Sequence, residues 1–109
     1  MAGFGQEFRR LRQRRGVSLK RLAPDLGVNY TYLSKIENDR SVPSEDLIAR
    51  TARYFGADQD MLMLAANRIP DDIQRILRDN PREALEYLRK RFARDTGARP
   101  SAGELHQAD

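Results

Sequence analysis

The stretch of sequence that decides the fold runs from residue 18 to residue 43 and reads SLKRLAPDLGVNYTYLSKIENDRSVP. Apolar residues recur at helical spacing on both sides of Gly27, without the alternation of period two that is typical of a strand. Ser18 and Asn29 are residues that cap the start of a helix, and Gly27 is a residue that ends one. The segment therefore predicts a helix, a tight turn and a second helix.

This layout is a helix-turn-helix, in which the second helix enters the major groove of DNA. The residues predicted to face inward and fix the two helices against each other are Leu22, Ala23, Val28, Leu33 and Ile36. Those predicted to face outward are hydrogen-bonding types, namely Tyr30, Thr31, Ser34, Lys35 and Asn38. Tyr32 can lie on this outward face or turn back onto the core. A helix that only faces water more often carries Glu, Lys and Gln, so this face indicates a contact surface.

The flanking sequence adds three more helices. Phe4, Phe8 and Leu11 form one apolar stripe on a first helix that ends near Gly16. Pro43 and Ser44 open a fourth helix, whose predicted inward residues are Leu47, Ile48, Ala52 and Phe55 and whose stop is Gly56. Asp58 caps a short fifth helix that contains Met61, Leu62, Leu64 and Ala65. We therefore predict an all-α domain of five helices over residues 1–66.

A second helical segment is predicted over residues 67–95. One helix begins at Pro70-Asp71-Asp72, and Asn80-Pro81-Arg82-Glu83 resembles a capping box that opens the next. The apolar residues here exceed what a five-helix domain needs and predict a dimer or partner surface: Ile73, Ile76, Leu77, Leu85, Leu88 and Phe92. Together with Tyr87, the last two can instead form a small satellite core. Residues 96–109 lack apolar periodicity and are predicted to be a disordered tail.

Composition limits the function classes. The chain has 109 residues, a net charge of +4, no Cys and one His, which exclude disulfides, thiolate metal sites and a conventional zinc site. We expect no cofactor, no membrane span and no signal peptide, hence a cytoplasmic protein. Residues 1–27 hold seven cations and two anions, net +5, which favours a nucleic-acid partner. The arginine run of the first helix, between residues 9 and 15, is either a solvated face or a field that faces DNA, and the lack of interleaved acids after Glu7 favours the latter. The acidic pairs Glu45-Asp46 and Asp71-Asp72 fall in first helical turns, where they complement the helix dipole, so an enzyme is not expected.

From about residue 4 to residue 64 the sequence resembles the Xre/Cro-type helix-turn-helix family of prokaryotic and phage repressors. The motifs that carry the resemblance are Leu11-Arg12 before Gly16, Leu22-Ala23, Leu26-Gly27-Val28, Tyr32-Leu33-Ser34-Lys35-Ile36-Glu37-Asn38 and Pro43-Ser44. The resemblance implies a lambda-repressor-like domain with a C-terminal helical extension.

The resemblance also implies roles for individual residues. It implies base reading by Tyr30, Thr31 and Lys35, phosphate contacts by Ser18, Asn29, Asn38 and Arg40, and a structural ion pair between Arg12 and Glu37. The sequence departs from the family pattern at three positions: Leu19 stands where Gln is frequent, Pro24 lies inside the second helix, and Asp39 stands where Gly is usual. Leu19 cannot donate a hydrogen bond to DNA.

These expectations combine into one predicted function, a sequence-specific repressor that binds double-stranded DNA at a palindromic operator as a homodimer. By looser resemblance, some repressors of this layout are encoded beside a zinc metallopeptidase that cuts their C-terminal helices, which makes Leu77-Arg78 and Leu88-Arg89 candidate bonds. Two alternatives share the DNA-binding half. One is an antitoxin or other protein-interaction module with autoregulatory DNA binding, and the other is an activator that uses an acidic patch near Glu45 and Asp46.

Overall fold

The computed structural model describes residues 3–96 of the chain, and within them it is all α-helical. The helices are α1 (Phe4–Arg15), α2 (Leu19–Leu26), α3 (Tyr30–Glu37), α4 (Glu45–Phe55), α5 (Gln59–Ala65), α6 (Asp71–Asp79) and α7 (Pro81–Thr96). The predicted fold class is confirmed. The predicted tail, apart from Thr96 at the end of α7, lies outside the described residues.

The residue types that mark the helix ends in the sequence lie at the helix ends in the structure. Ser18 Oγ accepts a hydrogen bond from Arg21 N at 3.2 Å, and Asn29 Oδ1 accepts one from Tyr32 N at 2.8 Å. Ser44 and Asp58 cap α4 and α5 in the same way. Gly16, Gly27 and Gly56 each end a helix in the left-handed conformation, with φ of 69°, 72° and 64°, which a residue without Cβ adopts at no steric cost.

A single apolar core joins helices α1 to α5. Its buried members are Phe4, Phe8, Leu22, Ala23, Leu26, Leu33, Ile36, Leu47, Ile48, Ala52, Leu62 and Met63. Tyr32 packs against this core, so of the two placements that the sequence allows, the structure shows the one in which this side chain turns back onto the core. Helix α2 runs through Pro24 and ends two residues later at Leu26, so the missing N–H of proline interrupts only its last turn.

The chain divides into two compact units, and the boundary lies between Pro70 and Asp71. The sequence places this boundary four residues earlier, between residues 66 and 67. The difference arises because residues beyond 66 still bond to the first unit: Arg68 N donates to Met63 O at 2.8 Å, and Arg68 Nε donates to Pro43 O at 3.1 Å. We call the two parts the first unit (residues up to 70) and the second unit (residues from 71).

The second unit consists of α6 and α7, which contact each other and are joined by Asn80. The side-chain Nδ2 group of Asn80 donates to Ile76 O at 3.1 Å, and the backbone carbonyl of Asn80 accepts from Ala84 N at 2.8 Å. This one residue therefore satisfies the end of α6 and the start of α7. In the part of the chain that the structure describes, no helix has the length and apolar character needed to cross a bilayer.

Candidate nucleic-acid interface

Helices α2 and α3 and the turn between them form the helix-turn-helix that the sequence predicts. Leu22, Ala23, Leu33 and Ile36 are buried between the helices, and Val28 packs at the edge of the core. Burial of these side chains fixes the orientation of α3, because apolar surface removed from water contributes about 25 cal/mol per Å². The opposite face of α3 therefore points away from the core.

The side chains predicted to read bases lie on that outward face. Tyr30, Thr31 and Lys35 are all exposed, and Tyr30 keeps 46% of its accessible surface. Within residues 3–96, none of these three side chains has a hydrogen-bond or ion-pair partner. Their donors and acceptors are therefore available to an external ligand.

Two of the predicted phosphate contacts, Ser18 and Asn29, occupy the N-terminal caps of α2 and α3. Each cap uses an oxygen as acceptor toward its own helix. The hydroxyl hydrogen of Ser18 and the Nδ2 amide group of Asn29 remain as donors. Helix N-termini favour anions, because their free N–H groups and the helix dipole both present positive charge.

Asn38 and Arg40, the other two predicted phosphate contacts, differ in how their side chains are engaged. The Asn38 amide donates to Ser34 O at 2.9 Å and accepts from Arg9 Nη2 at 3.4 Å, so much of its capacity is used inside the protein. Arg40 is exposed, and its guanidinium has no partner among the described side chains. Arg40 is thus the better placed of the two to bind a phosphate.

Arg12 and Glu37 form a two-pronged ion pair between α1 and α3. Arg12 Nε and Nη2 donate to the two carboxylate oxygens of Glu37, each at 2.8 Å, and Nη1 donates to Val17 O at 3.0 Å. The side chains are 18% and 3% exposed. The hydrogen bonds to Glu37 raise the pKa of Arg12 above its ordinary value, because they stabilise the charged form. This pair fixes α3 against α1.

The basic run on α1, which the sequence suggests as an open field facing DNA, is largely engaged within the first unit. Arg10 pairs with Glu7, and Arg9 lies 3.6 Å from the Glu37 carboxylate in addition to its bond to Asn38. Arg15 stacks over two rings, those of Tyr54 and Phe55, at 5.5 and 5.3 Å from their centroids. Arg9, Arg10 and Arg15 thus contact partners from the same fold but stay exposed at the surface, and the expectation that this run lies near DNA remains a prediction.

Two contacts at the ends of the loop after α3 could not be found in the sequence. Gly5 N donates to Asp39 Oδ1 at 3.0 Å across 34 residues, and Arg68 Nε donates to Pro43 O across 25 residues. No spacing rule relates partners so far apart. The one signal in the sequence was Asp39 itself, which stands where the family pattern usually has Gly. In the structure this position has a φ of +57°.

Comparison with known proteins decides the family. A family model described as a helix-turn-helix domain matches residues 4–64, which is more than half of the chain. The chain belongs to the helix-turn-helix family. This helix-turn-helix protein is 35% identical over 78 residues to RghRB, an uncharacterized HTH-type transcriptional regulator of Bacillus subtilis (strain 168). The match covers 68% of this chain and 56% of that protein, so the chain spans little more than half of its relative.

Solved structures share the architecture of this helix-turn-helix protein. The crystal structure of the clp gene regulator ClgR from Corynebacterium glutamicum has a TM-score of 0.52 and 26% identity over 79% of this chain and 86% of that chain. The SinR protein in complex with the SinI protein has a TM-score of 0.52 and 23% identity over 85% and 98%, respectively. The second match shows a shared fold alone. The family match and the sequence relative thus both describe helix-turn-helix proteins, and the relative is described as a transcriptional regulator.

Proposed function

We propose that this protein is a sequence-specific transcriptional repressor that binds a palindromic operator as a homodimer. The observation that carries the proposal is the outward face of α3, where Tyr30, Thr31 and Lys35 are exposed and unpartnered between buried anchors. A lysine reads guanine O6 and N7, and hydroxyl groups bond to several base edges in the major groove. The donors that remain at Ser18 and Asn29 are suited to phosphates on either side of that groove.

The second unit is proposed as the dimer contact. Its predicted partner surface is Ile73, Ile76, Leu77, Leu85, Leu88 and Phe92; Leu77 is half-buried and the other five are exposed. Exposed large apolar side chains in this number within one small unit are typical of an interaction site. A dimer formed through it would carry two α3 helices, which is what a palindromic operator with half-sites about 34–36 Å apart requires.

Repression rather than activation is favoured by the state of the acidic side chains on α4. Glu45 lies 3.7 Å from Arg68 and Asp46 lies 2.6 Å from Arg50. The acidic patch that an activator would offer to a polymerase is thus partly neutralised by cations of the same unit. A bound dimer represses by a simpler route, since it occludes any promoter that overlaps its operator.

The alternative function, an antitoxin or other protein-interaction module, rests on the same exposed apolar face. A groove of about 650 Å³, lined by Ile73, Ile76, Leu77, Ala84 and Leu88 among others, runs along it. A different protein can cover this groove as well as a second copy can. Purification of the tagged protein from its own cells distinguishes the two, because the alternative requires a second protein in stoichiometric amount and repression by a homodimer does not.

Proteolytic inactivation by a zinc metallopeptidase forms part of the proposal. The candidate bonds Leu77-Arg78 and Leu88-Arg89 lie in α6 and α7, and helices that bury few side chains open at low free-energy cost. Incubation of the protein with an extract of its own cells, with and without a zinc chelator, tests this step by mass spectrometry. Cleavage within α6 or α7 that the chelator abolishes is expected, whereas an intact chain would contradict it.

Selection of bound duplexes from a random pool tests the function as a whole, and two variants assign the contacts. Lys35→Ala should weaken binding to the selected duplex by about 1–3 kcal/mol and relax preference at one or two base pairs. Arg40→Ala should weaken binding to all sequences similarly and lower the slope of log K against log salt by about one. A Lys35→Ala protein that selects an unchanged motif would contradict the base-reading role, and a wild-type protein that enriches no motif would contradict sequence-specific regulation.

A further inference from the structure

The loop between α3 and α4, residues 38–44, begins as an extension of the recognition helix. Asp39 N donates to Ile36 O at 3.1 Å and Arg40 N donates to Lys35 O at 2.8 Å. This is the Schellman arrangement, in which the two residues after a helix satisfy its last free carbonyls. The backbone of Arg40 is therefore tied to the same turn of α3 that carries Lys35.

The first end of this loop is fastened by Asp39. Its φ of +57° lies in the left-handed region that favours glycine. Its carboxylate, however, accepts the hydrogen bond from Gly5 N in the first turn of α1, where N–H groups lack partners within the helix. Gly3, the N-cap residue of α1, forms no side-chain cap, so Asp39 performs that role from another part of the chain and its negative charge complements the helix dipole.

The approach of the two segments is close enough to require a glycine on α1. A Cβ atom at Gly5 would lie 2.4 Å from Glu37 O, which is backbone and cannot move aside. The start of α1 is thus in direct contact with the end of α3. The hydrogen bond from Gly5 to Asp39 holds the loop in this position.

The other end of the loop is fastened by Arg68, which follows α5. Its Nε donates to Pro43 O at 3.1 Å, and its Nη1 lies 3.7 Å from Glu45 Oε2 at the start of α4. A guanidinium presents its donors in a fixed plane, so one side chain can bond the loop carbonyl and an acid together. Between the two fastened ends, the side chain of Arg40 is exposed.

We propose that Asp39 and Arg68 are positioning residues that hold the loop of residues 38–44, so that the guanidinium of Arg40 is presented to a DNA phosphate before binding. This inference rests on the proposed function. Holding a contact residue in its bound geometry raises affinity, because binding then loses less conformational freedom. Neither positioning residue needs to touch DNA.

Asp39→Gly separates this proposal from simple electrostatics. The substitution removes an anion near the interface, and this change alone would favour binding to DNA. Glycine also adopts the left-handed backbone of this position without steric cost. Loss of the bond to Gly5 and the greater backbone freedom of glycine oppose binding, and both act through the position of the loop. A weaker affinity in Asp39→Gly therefore reports on positioning.

The test measures fluorescence anisotropy of a labelled random-sequence duplex, titrated with the full chain at several salt concentrations. We compare the wild type with Asp39→Gly, Arg68→Lys and Arg40→Ala, and with each of the first two combined with Arg40→Ala. Arg68→Lys keeps the charge but loses the planar fork. The matched control is Asp58→Gly, which removes an anion and a helix cap at α5.

Asp39→Gly and Arg68→Lys are each expected to weaken binding about three- to tenfold and to reduce the salt slope toward that of Arg40→Ala. In the Arg40→Ala background neither should have a further effect, because residues that act through one contact are not additive. Asp58→Gly should bind as tightly as the wild type or more tightly. Circular dichroism melts show that each variant is folded at the titration temperature.

Two results would overturn the inference and leave the proposed function standing. One is an affinity of Asp39→Gly and Arg68→Lys equal to that of the wild type; the other is a loss that persists in the Arg40→Ala background. A wild-type protein that binds no duplex would overturn both. Because the duplex is of random sequence, absence of a selected motif contradicts the proposed function without touching this test.

Discussion

The two units of the chain differ in what their helices bury. The first unit buries twelve apolar side chains within one core that spans α1 to α5. In the second unit, no side chain from residue 71 to residue 93 is buried, and Ile76 and Phe92 keep 51% and 42% of their accessible surface. The first unit therefore completes its own core, whereas the second leaves most of its large apolar side chains exposed. This difference is the basis for the partner surface that we propose on the second unit.

Removal of the second unit tests directly whether the first unit is stable by itself and whether the second unit forms the dimer. A fragment of residues 1–70 keeps the whole core and the Arg68 contacts, so we expect it to melt at nearly the temperature of the full chain. It should sediment as a monomer and bind a duplex with two selected half-sites about 10²–10⁴-fold more weakly than the full chain, because linked binding is lost. Its affinity for a single half-site should be unchanged.

Two results with the same fragment would contradict these expectations. A fragment that stays dimeric in sedimentation and retains full affinity would show that the first unit alone forms the dimer. A fragment that fails to fold would show that the core of the first unit is not self-sufficient. A fragment ending at residue 66 is a useful second control, because it lacks Arg68 and should be the less stable of the two.

Glu37→Gln tests how much the buried ion pair between α1 and α3 contributes to the stability of the first unit. The substitution removes the carboxylate charge opposite the Arg12 guanidinium in a site where Glu37 is 3% exposed, and loss of one charge of a buried pair destabilises by about 3–5 kcal/mol. Thermal unfolding should show this loss at neutral pH before any change in DNA preference. An unchanged melting temperature would mean that water screens the pair.

Ile76→Ser tests the partner surface of the second unit with a single side chain. Replacement of an apolar residue at the centre of an interface should weaken the dimer about 10- to 100-fold in sedimentation. The unfolding of the first unit should not change, because Ile76 contributes nothing to its core. The control is Arg75→Ser on the same helix, which is expected to leave the dimer intact. Equal effects from the two variants would place the interface elsewhere.

Local signals made most of the fold predictable. Ser18, Asn29 and Asp58 cap the helices that the sequence assigns to them, and Gly27 and Gly56 end helices where expected. These features depend on neighbours within a few residues, which a sequence displays directly. The boundary between the units was less predictable, because it depends on the long-range bonds of Arg68.

Contacts across the fold could be predicted only where a resemblance supplied them. Arg12 and Glu37 are paired in the structure, and their pairing follows from no spacing rule. The engagement of Arg9, Arg10 and Arg15 escaped prediction, because charge runs look alike whether they face water or partners. Gly5 shows the limit most clearly, since nothing nearby in the sequence reveals that the carbonyl of residue 37 occupies the space of its missing side chain.

The smallest expected effect comes from the exposed pair on α1, and it sharpens the contrast with the buried pair of Arg12. The hydrogen bond from Arg10 holds the pKa of Glu7 below its ordinary value of 4.5, because it favours the ionised form. A carboxyl with a lowered pKa contributes stability above its unfolded pKa and loses it as the pH falls through the folded pKa. Glu7→Gln should therefore melt about 1–3 °C below the wild type at pH 7, and the two curves should converge toward pH 3.

Arg10→Gln should show the same convergence, since it removes the other half of the pair. A difference that stays constant from pH 7 to pH 3 would instead attribute the effect to packing of the side chain, and a difference as large as that of Glu37→Gln would erase the distinction between an exposed and a buried ion pair in this protein.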